Sequence, residues 1–241
     1  MRIPRIYHPE PLQLDQIIDL TEEAANHVGR VLRLGQGARL ELFCGDLHAY
    51  AAEIQNASKK HVQVKILAST LANSESPIKL HLAQGISRGD RMDFVLQKSV
   101  ELGVHEITPL FTERCTVKLQ GDRLDKKVQQ WQRIVISACE QSGRNFVPVV
   151  HTPMTLTEWL QQHVELTKVI LEPQAASSIA QLEKREAFGL MIGPEGGFSA
   201  QEVDLCQTHR AIGVRLGPRI LRTETAALAA ITALQLTQGD L

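Results

Sequence analysis

The stretch GPEGGFSAQE, residues 193–202, directly follows the apolar segment FGLMI, residues 188–192. The apolar segment is typical of a buried strand, and Ser199 with Glu202 three positions later forms the pattern of a helix-capping box. The sequence therefore predicts a strand, a glycine loop and a helix in succession. Glycines in such a loop expose backbone N–H groups without neighbouring Cβ atoms, which suits the close approach of a cofactor.

The glycine loop lacks the patterns of the common phosphate-binding loops. A P-loop needs Lys and a hydroxyl residue directly after its last glycine, whereas Phe198 and Ser199 follow Gly197 here. The glycine spacing also differs from the GxGxxG of dinucleotide-binding folds. Taken alone, the loop is also compatible with a structural turn that requires glycine at positive φ.

Two further segments repeat the pattern of a strand that ends in a loop. The strand signal AIGVRL, residues 211–216, meets Gly217-Pro218 and leads into an alanine-rich helix over 225–236. In KVILEPQ, residues 168–174, the proline stops a short apolar strand. Because loops at the carboxyl ends of parallel strands line one crevice, we expect these segments to contact the same ligand.

The rest of the chain predicts two domains. Residues 1–72 show short alternating strands with one helix over 22–34, which favours a small β-barrel. A polar linker over 72–77 follows, and strand and helix signals then alternate through residues 73–241. The first helix there, over 90–102, has a single apolar face and ends at Gly103. Such alternation predicts a mainly parallel α/β sheet.

Composition excludes several classes of protein. The net charge of −1 gives no global attraction to nucleic acid, so any RNA site must be a local basic patch. The four cysteines form no CxxC pair, and we therefore expect no zinc or other metal. No secretory signal or membrane-spanning run is evident, which predicts a cytoplasmic protein with reduced thiols.

Several long motifs, in the right order, resemble one known family. They include MRIPRIYHP at the start, HVGRVLRL at 27–34, SRGDRMDFVLQKSVELGVHEITPLFTERC at 87–115, ACEQSGRNFVP at 138–148, GPEGGFS and LRTETAALAAITALQ. The chain is similar to the ribosomal RNA small subunit methyltransferase E family, which methylates N3 of a uridine in the 16S rRNA of the 30S subunit. The resemblance implies a PUA-like RNA-binding domain, a SPOUT domain with a C-terminal trefoil knot, S-adenosylmethionine as methyl donor, and a homodimer.

The resemblance places the cofactor at the glycine loop and its neighbours. The adenosine of S-adenosylmethionine is uncharged and its methyl group is already activated, so orientation should dominate catalysis and no P-loop Lys or metal is needed. The residues expected to line the cofactor pocket are Leu171, Gly193, Glu195, Gly196, Gly197, Leu216, Gly217, Ile220 and Leu221.

The acceptor atom implied by the resemblance makes two chemical demands. Uridine N3 lies on the Watson–Crick edge and carries a proton, so the base must be unpaired and the proton must leave. Glu224 and Glu195 are candidates for handling this proton, and Arg222 for stabilising the uridine anion. The alternative is structural: Glu224 would favour the dipole of its helix, and Arg222 would pair with it.

Contact with RNA is expected from arginines in both domains, because the planar guanidinium group suits phosphate. The candidates are Arg2, Arg5, Arg30, Arg33, Arg88, Arg91 and Arg144. On a generic domain such arginines are more often surface residues without a partner. Trp131 and Trp159, in contrast, are expected in the core and not as platforms for base stacking.

Two alternative functions share most of these features. A SPOUT methyltransferase acting on tRNA or on a ribose 2′-hydroxyl would have the same donor pocket and a different acceptor atom. A non-catalytic RNA-binding factor for ribosome assembly would have lost the pocket, which the intact GPEGG and LRTETA segments disfavour. The alanine-rich helix could form the dimer surface or pack within one knotted subunit.

Overall fold

The computed structural model describes residues 3–58 and 61–241, which form two compact units. The first unit contains the residues up to 75 together with 139–147, and the second contains 76–138 and 148–241. The domain boundary predicted after residue 72 lies three residues before the division between residues 75 and 76. The sequence pattern does not predict that 139–147 belong to the first unit, because this segment continues a helix that begins in the second.

The first unit is built on a sheet whose buried side chains alternate along each strand. Its strands are Arg5–Tyr7 (β1), Ile17–Asp19 (β2), Arg39–Phe43 (β3), His48–Ala57 (β4) and Val62–Leu71 (β5). They lie in the order β1-β3-β4-β5-β2, with β1 parallel to β3 and the other pairs antiparallel. On β5, Val62, Val64 and Ile66 are fully buried, so one face of the sheet forms the core, as alternation predicts.

The helix predicted over 22–34 is shorter and changes type. An α-helix, Glu22–Asn26 (α1), passes into a π-helical turn, His27–Val31, where the Leu32 N–H donates to the His27 carbonyl at 2.9 Å. A Cβ atom at Gly29 would lie 2.7 Å from the Ser58 carbonyl oxygen. Glycine therefore permits a close backbone approach in this turn, which hydrophobic periodicity cannot reveal.

The second unit alternates strands and helices, as predicted. Its strands are Lys79–Gly85 (β6), Glu106–Phe111 (β7), Val149–Val150 (β8), Met154–Thr155 (β9), Thr167–Leu171 (β10), Ser177–Ser178 (β11), Ala187–Ile192 (β12) and Ile212–Arg215 (β13). Its helices are Asp90–Glu101 (α2), Asp122–Ser142 (α3), Leu156–Gln162 (α4), Ala200–Thr208 (α5) and Thr223–Gln238 (α6), and α3 ends in the first unit. A 3₁₀ turn, Ile179–Gln181, follows β11.

The sheet of the second unit is parallel. Its strand order is β11-β13-β10-β12-β6-β7-β8, with β9 paired to β7, and each of these pairs is parallel. The prediction of a parallel α/β sheet is thereby confirmed. Since β10, β12 and β13 are neighbours, the three loops singled out in the sequence leave the same edge of the sheet.

Helices pack their apolar faces on this sheet. The apolar face of α2 is buried as predicted, and Gly103 follows the helix with φ of +85°, a conformation that favours glycine. Trp131 and Trp159 are both almost fully buried, which confirms their place in the core. In the described ranges, no helix combines the length and the apolar character needed to cross a membrane.

Candidate functional site

A cavity of about 610 Å³ lies where β10, β12 and β13 end. Its volume falls within the range typical of sites for small molecules. All nine residues expected at the cofactor pocket line it: Leu171, Gly193, Glu195, Gly196, Gly197, Leu216, Gly217, Ile220 and Leu221. The structure thus brings together residues that are up to fifty positions apart in the chain.

The glycine loop forms a tight turn that requires glycine at particular positions. The Gly197 N–H donates to the Pro194 carbonyl at 2.9 Å, and Gly197 has φ of +67°. A Cβ atom at Gly193 would lie within 2.9 Å of the Gly197 backbone. The predicted capping box at Ser199 and Glu202 is confirmed and starts α5 immediately after the turn.

Thr223 joins the glycine loop to the start of α6. Its buried hydroxyl group donates to the Gly193 carbonyl at 2.6 Å and accepts a hydrogen bond from the Gln84 side chain at 3.0 Å. The Gln84 amide nitrogen also donates to the Gly85 carbonyl at 3.0 Å. One polar chain therefore links the ends of β6 and β12 with the first turn of α6.

The loop after β7 closes another side of the cavity and contributes Arg114, a residue absent from the predicted pocket. The Arg114 guanidinium donates to the Gly196 carbonyl at 2.8 Å, and the Glu113 N–H donates to the Glu202 carboxylate at 2.8 Å. Arg114 follows the carboxyl end of β7, a strand of the same parallel sheet. The rule that such strand ends line one crevice could therefore have indicated it.

Glu195 is held by two arginines that were expected to contact RNA. Its carboxylate accepts hydrogen bonds from the Arg88 backbone N–H at 2.9 Å and from the Arg91 guanidinium at 2.8 Å. Burial raises the pKa of Glu195, but these hydrogen bonds outweigh it and leave the pKa lowered. The Arg88 side chain donates to the Thr116 hydroxyl at 2.5 Å. Glu195 therefore fastens the glycine loop to the segment that precedes α2.

Arg222 and Glu224 are not paired with each other, contrary to the structural alternative. Arg222 precedes the first residue of α6, and its exposed side chain has no ion-pair partner among the described residues. Glu224 lies in the first turn, and one of its carboxylate oxygens is buried without a hydrogen-bond partner in the described part of the chain. Thr223 between them lines the cavity. Neither Arg222 nor Glu224 is among the residues that line the cavity.

The arginines expected to bind RNA in the first unit differ in their accessibility. Arg5 pairs with Glu41 and donates to the Asn145 side chain at 2.7 Å, while Arg144 is buried and paired with Glu75. A phosphate contact by either would break these internal bonds, so we exclude both from the RNA surface. Arg30 and Arg33 are exposed. Arg2 lies outside the described residues.

The polar chain through Thr223 predicts the effect of a single substitution. Thr223→Val keeps the shape of the side chain but leaves the Gly193 carbonyl without its donor and the Gln84 amide with one hydrogen bond fewer, a loss of about 1–3 kcal/mol. Thr225→Val is the matched control, because Thr225 is exposed in the same turn of α6. Chemical denaturation should show the loss for the first variant only. Equal unfolding midpoints would contradict this role for Thr223.

Each of the two units matches a known domain family. The RNA methyltransferase domain family matches residues 74–235, and the RNA methyltransferase PUA domain family matches residues 20–67. The chain is 42% identical, over its whole length and 98% of the relative, to a ribosomal RNA small subunit methyltransferase E of Buchnera aphidicola. It is 32% identical to the protein of that name in Bacillus subtilis, with 92% of each chain covered.

Solved structures show the same fold over the full chain. A methyltransferase of Legionella pneumophila in complex with the cofactor S-adenosylmethionine is 46% identical, with a TM-score of 0.97 and complete coverage of both chains. A ribosomal RNA small subunit methyltransferase E of Neisseria gonorrhoeae bound to S-adenosylmethionine is 42% identical, with a TM-score of 0.93 and complete coverage of both. With its domains, cavity and full-length relatives in agreement, the chain belongs to the ribosomal RNA small subunit methyltransferase E family.

Proposed function

We propose that this protein transfers a methyl group from S-adenosylmethionine to N3 of a uridine in the 16S rRNA of the 30S subunit. The observation that carries the proposal is the convergence of three strand ends on one glycine-lined cavity, in a chain that matches cofactor-bound relatives over its full length. The choice of uridine N3 rests on the family to which the chain belongs.

The cavity residues fit the cofactor. A Cβ atom at Gly197 or Gly217 would meet no protein atom within 4 Å, so the backbone at both positions is open to a ligand. Leu171, Leu216 and Leu221 supply apolar surface around this backbone, suited to an uncharged adenosine. The bound cofactor supplies a methyl group activated by its sulfonium, and the protein aligns it without a metal in the cavity.

The arrangement of the carboxylates favours Glu224 over Glu195 for accepting the N3 proton. Glu195 is engaged by two donors and its pKa is lowered, which makes it a poor base. Glu224 has an unpartnered oxygen among the described residues, and Arg222 carries an unpaired cation two positions earlier. We assign proton removal to Glu224 and stabilisation of the uridine anion to Arg222.

Recognition of RNA is assigned to exposed cations on each unit. Arg30 and Arg33 serve the PUA-like unit, and the side chain of Arg91, although paired with Glu195, remains partly exposed beside the cavity. Such local patches suit a chain without net positive charge.

We further propose a trefoil knot in the second unit, a homodimer that uses the alanine-rich face of α6, and action in the cytoplasm, where 30S subunits are found.

The open backbone at Gly217 gives a test of the cofactor site. Gly217→Ala adds a methyl group at the wall of the cavity and should weaken binding of S-adenosylmethionine by at least about tenfold, or 1.4 kcal/mol. Gly45→Ala is the matched control, since Gly45 also has a positive φ and open surroundings but lies in the first unit. Calorimetric titration measures both affinities. Equal affinities would remove Gly217 from the site.

The proposed catalytic pair gives a second test. Arg222→Ala and Glu224→Gln should each slow single-turnover methyl transfer by about a hundredfold or more, with the affinity for S-adenosylmethionine nearly unchanged. Arg222→Lys should restore part of the rate, because it retains the charge. Lys184→Ala, at an exposed residue before β12, is the control. Wild-type rates in the first two variants would show that other groups handle the proton.

A further inference from the structure

Three potential metal ligands meet at the amino-terminal edge of the sheet in the second unit. His81 lies near the start of β6, Glu106 begins β7, and His151 follows β8. A His81 ring nitrogen, a Glu106 oxygen and a His151 ring nitrogen all lie within 4.8 Å of one another. In the ranges that the structure describes, this is the one such group of three.

The distances between these atoms suit a single small cation. The Glu106 Oε2 atom lies 2.8 Å from His151 Nε2 and 3.8 Å from His81 Nδ1. Ligands bound tetrahedrally to Zn²⁺ at about 2.0–2.2 Å are about 3.3 Å from each other, which lies between these two values. Small rotations of the partly exposed Glu106 and His151 side chains would therefore complete the geometry.

The surroundings of His81 offer a partner for the ring nitrogen that would face away from the metal. His81 Nε2 lies 2.8 Å from the Thr108 hydroxyl oxygen and 3.5 Å from the Trp159 indole nitrogen, and with a metal on Nδ1 the Nε2 proton would be donated to Thr108.

We propose that His81, Glu106 and His151 bind a divalent transition metal, with Zn²⁺ as the expected ion. Two imidazoles and one carboxylate form a common set of protein ligands for zinc, with water at the fourth position. The expectation of no metal rested on the spacing of the cysteines, whereas these ligands come from three separate segments. Only the pairing of β6 with β7 and of β7 with β8 brings them together.

This site is distinct from the proposed cofactor pocket. His81 is four residues from Gly85, the end of β6 that contacts the glycine loop, and this corresponds to about 13 Å along a strand. A metal at His81 would therefore join neighbouring strands and stabilise the folded state, without entering the methyl transfer. The proposed methylation activity and the proposed metal binding can therefore be tested independently of each other.

The test is titration of the metal-free, full-length protein with Zn²⁺ alone. We expect binding of one ion per chain, a higher unfolding temperature with Zn²⁺, and a visible absorption band of a tetrahedral site when Co²⁺ replaces it. Glu106→Gln and His151→Ala, both at partly exposed positions, should each weaken Zn²⁺ binding by about tenfold or more and abolish the Co²⁺ band.

His61→Ala is the matched control, because His61 faces Asp19 at 3.4 Å and belongs to no group of three potential ligands within residues 3–58 and 61–241. It should bind Zn²⁺ as the wild type does. Absence of Zn²⁺ binding by the wild type, or unchanged affinity in Glu106→Gln and His151→Ala, would overturn the proposal. Circular dichroism of each variant shows that a loss of binding does not reflect unfolding.

Discussion

The hydrogen bond from the Thr223 hydroxyl to the Gly193 carbonyl connects the two segments on which the candidate site depends. A buried carbonyl without a partner is unfavourable, and here the partner comes from the first turn of α6. Gln84 binds the same hydroxyl from the end of β6. The bond therefore couples the glycine turn to the start of α6, and both segments contribute residues to the lining of the cavity.

The two carboxylates considered for proton transfer, Glu195 and Glu224, have different hydrogen-bond partners. Arg88 and Arg91 hold Glu195, so this carboxylate positions the glycine loop and has little capacity left to accept a proton. Glu224 lies next to Thr223 in the first turn of α6 and has one buried carboxylate oxygen without a hydrogen-bond partner among the described residues. The two carboxylates thus differ in their hydrogen-bond partners, and this difference is the basis for proposing different roles for them.

Local patterns predicted the parts of this protein that depend on neighbours in sequence. The capping box at Ser199, the buried face of α2 and the parallel strands around the glycine loop follow from side-chain chemistry and periodicity. Contacts between distant segments could not be predicted in this way. Such contacts include Gly29 with Ser58, Arg144 with Glu75, and His81 with His151. Each joins residues that are far apart in sequence, so the pattern within one segment does not reveal it.

The identity of the methylated atom is the central claim, and one measurement tests it directly. The purified protein is incubated with labelled S-adenosylmethionine and 30S subunits that lack the modification, and the 16S rRNA is then digested to nucleosides. The account predicts labelled 3-methyluridine. A ribose-methylated nucleoside, or label on any other base, would contradict the assignment of uridine N3 and with it the proton transfer assigned to Glu224.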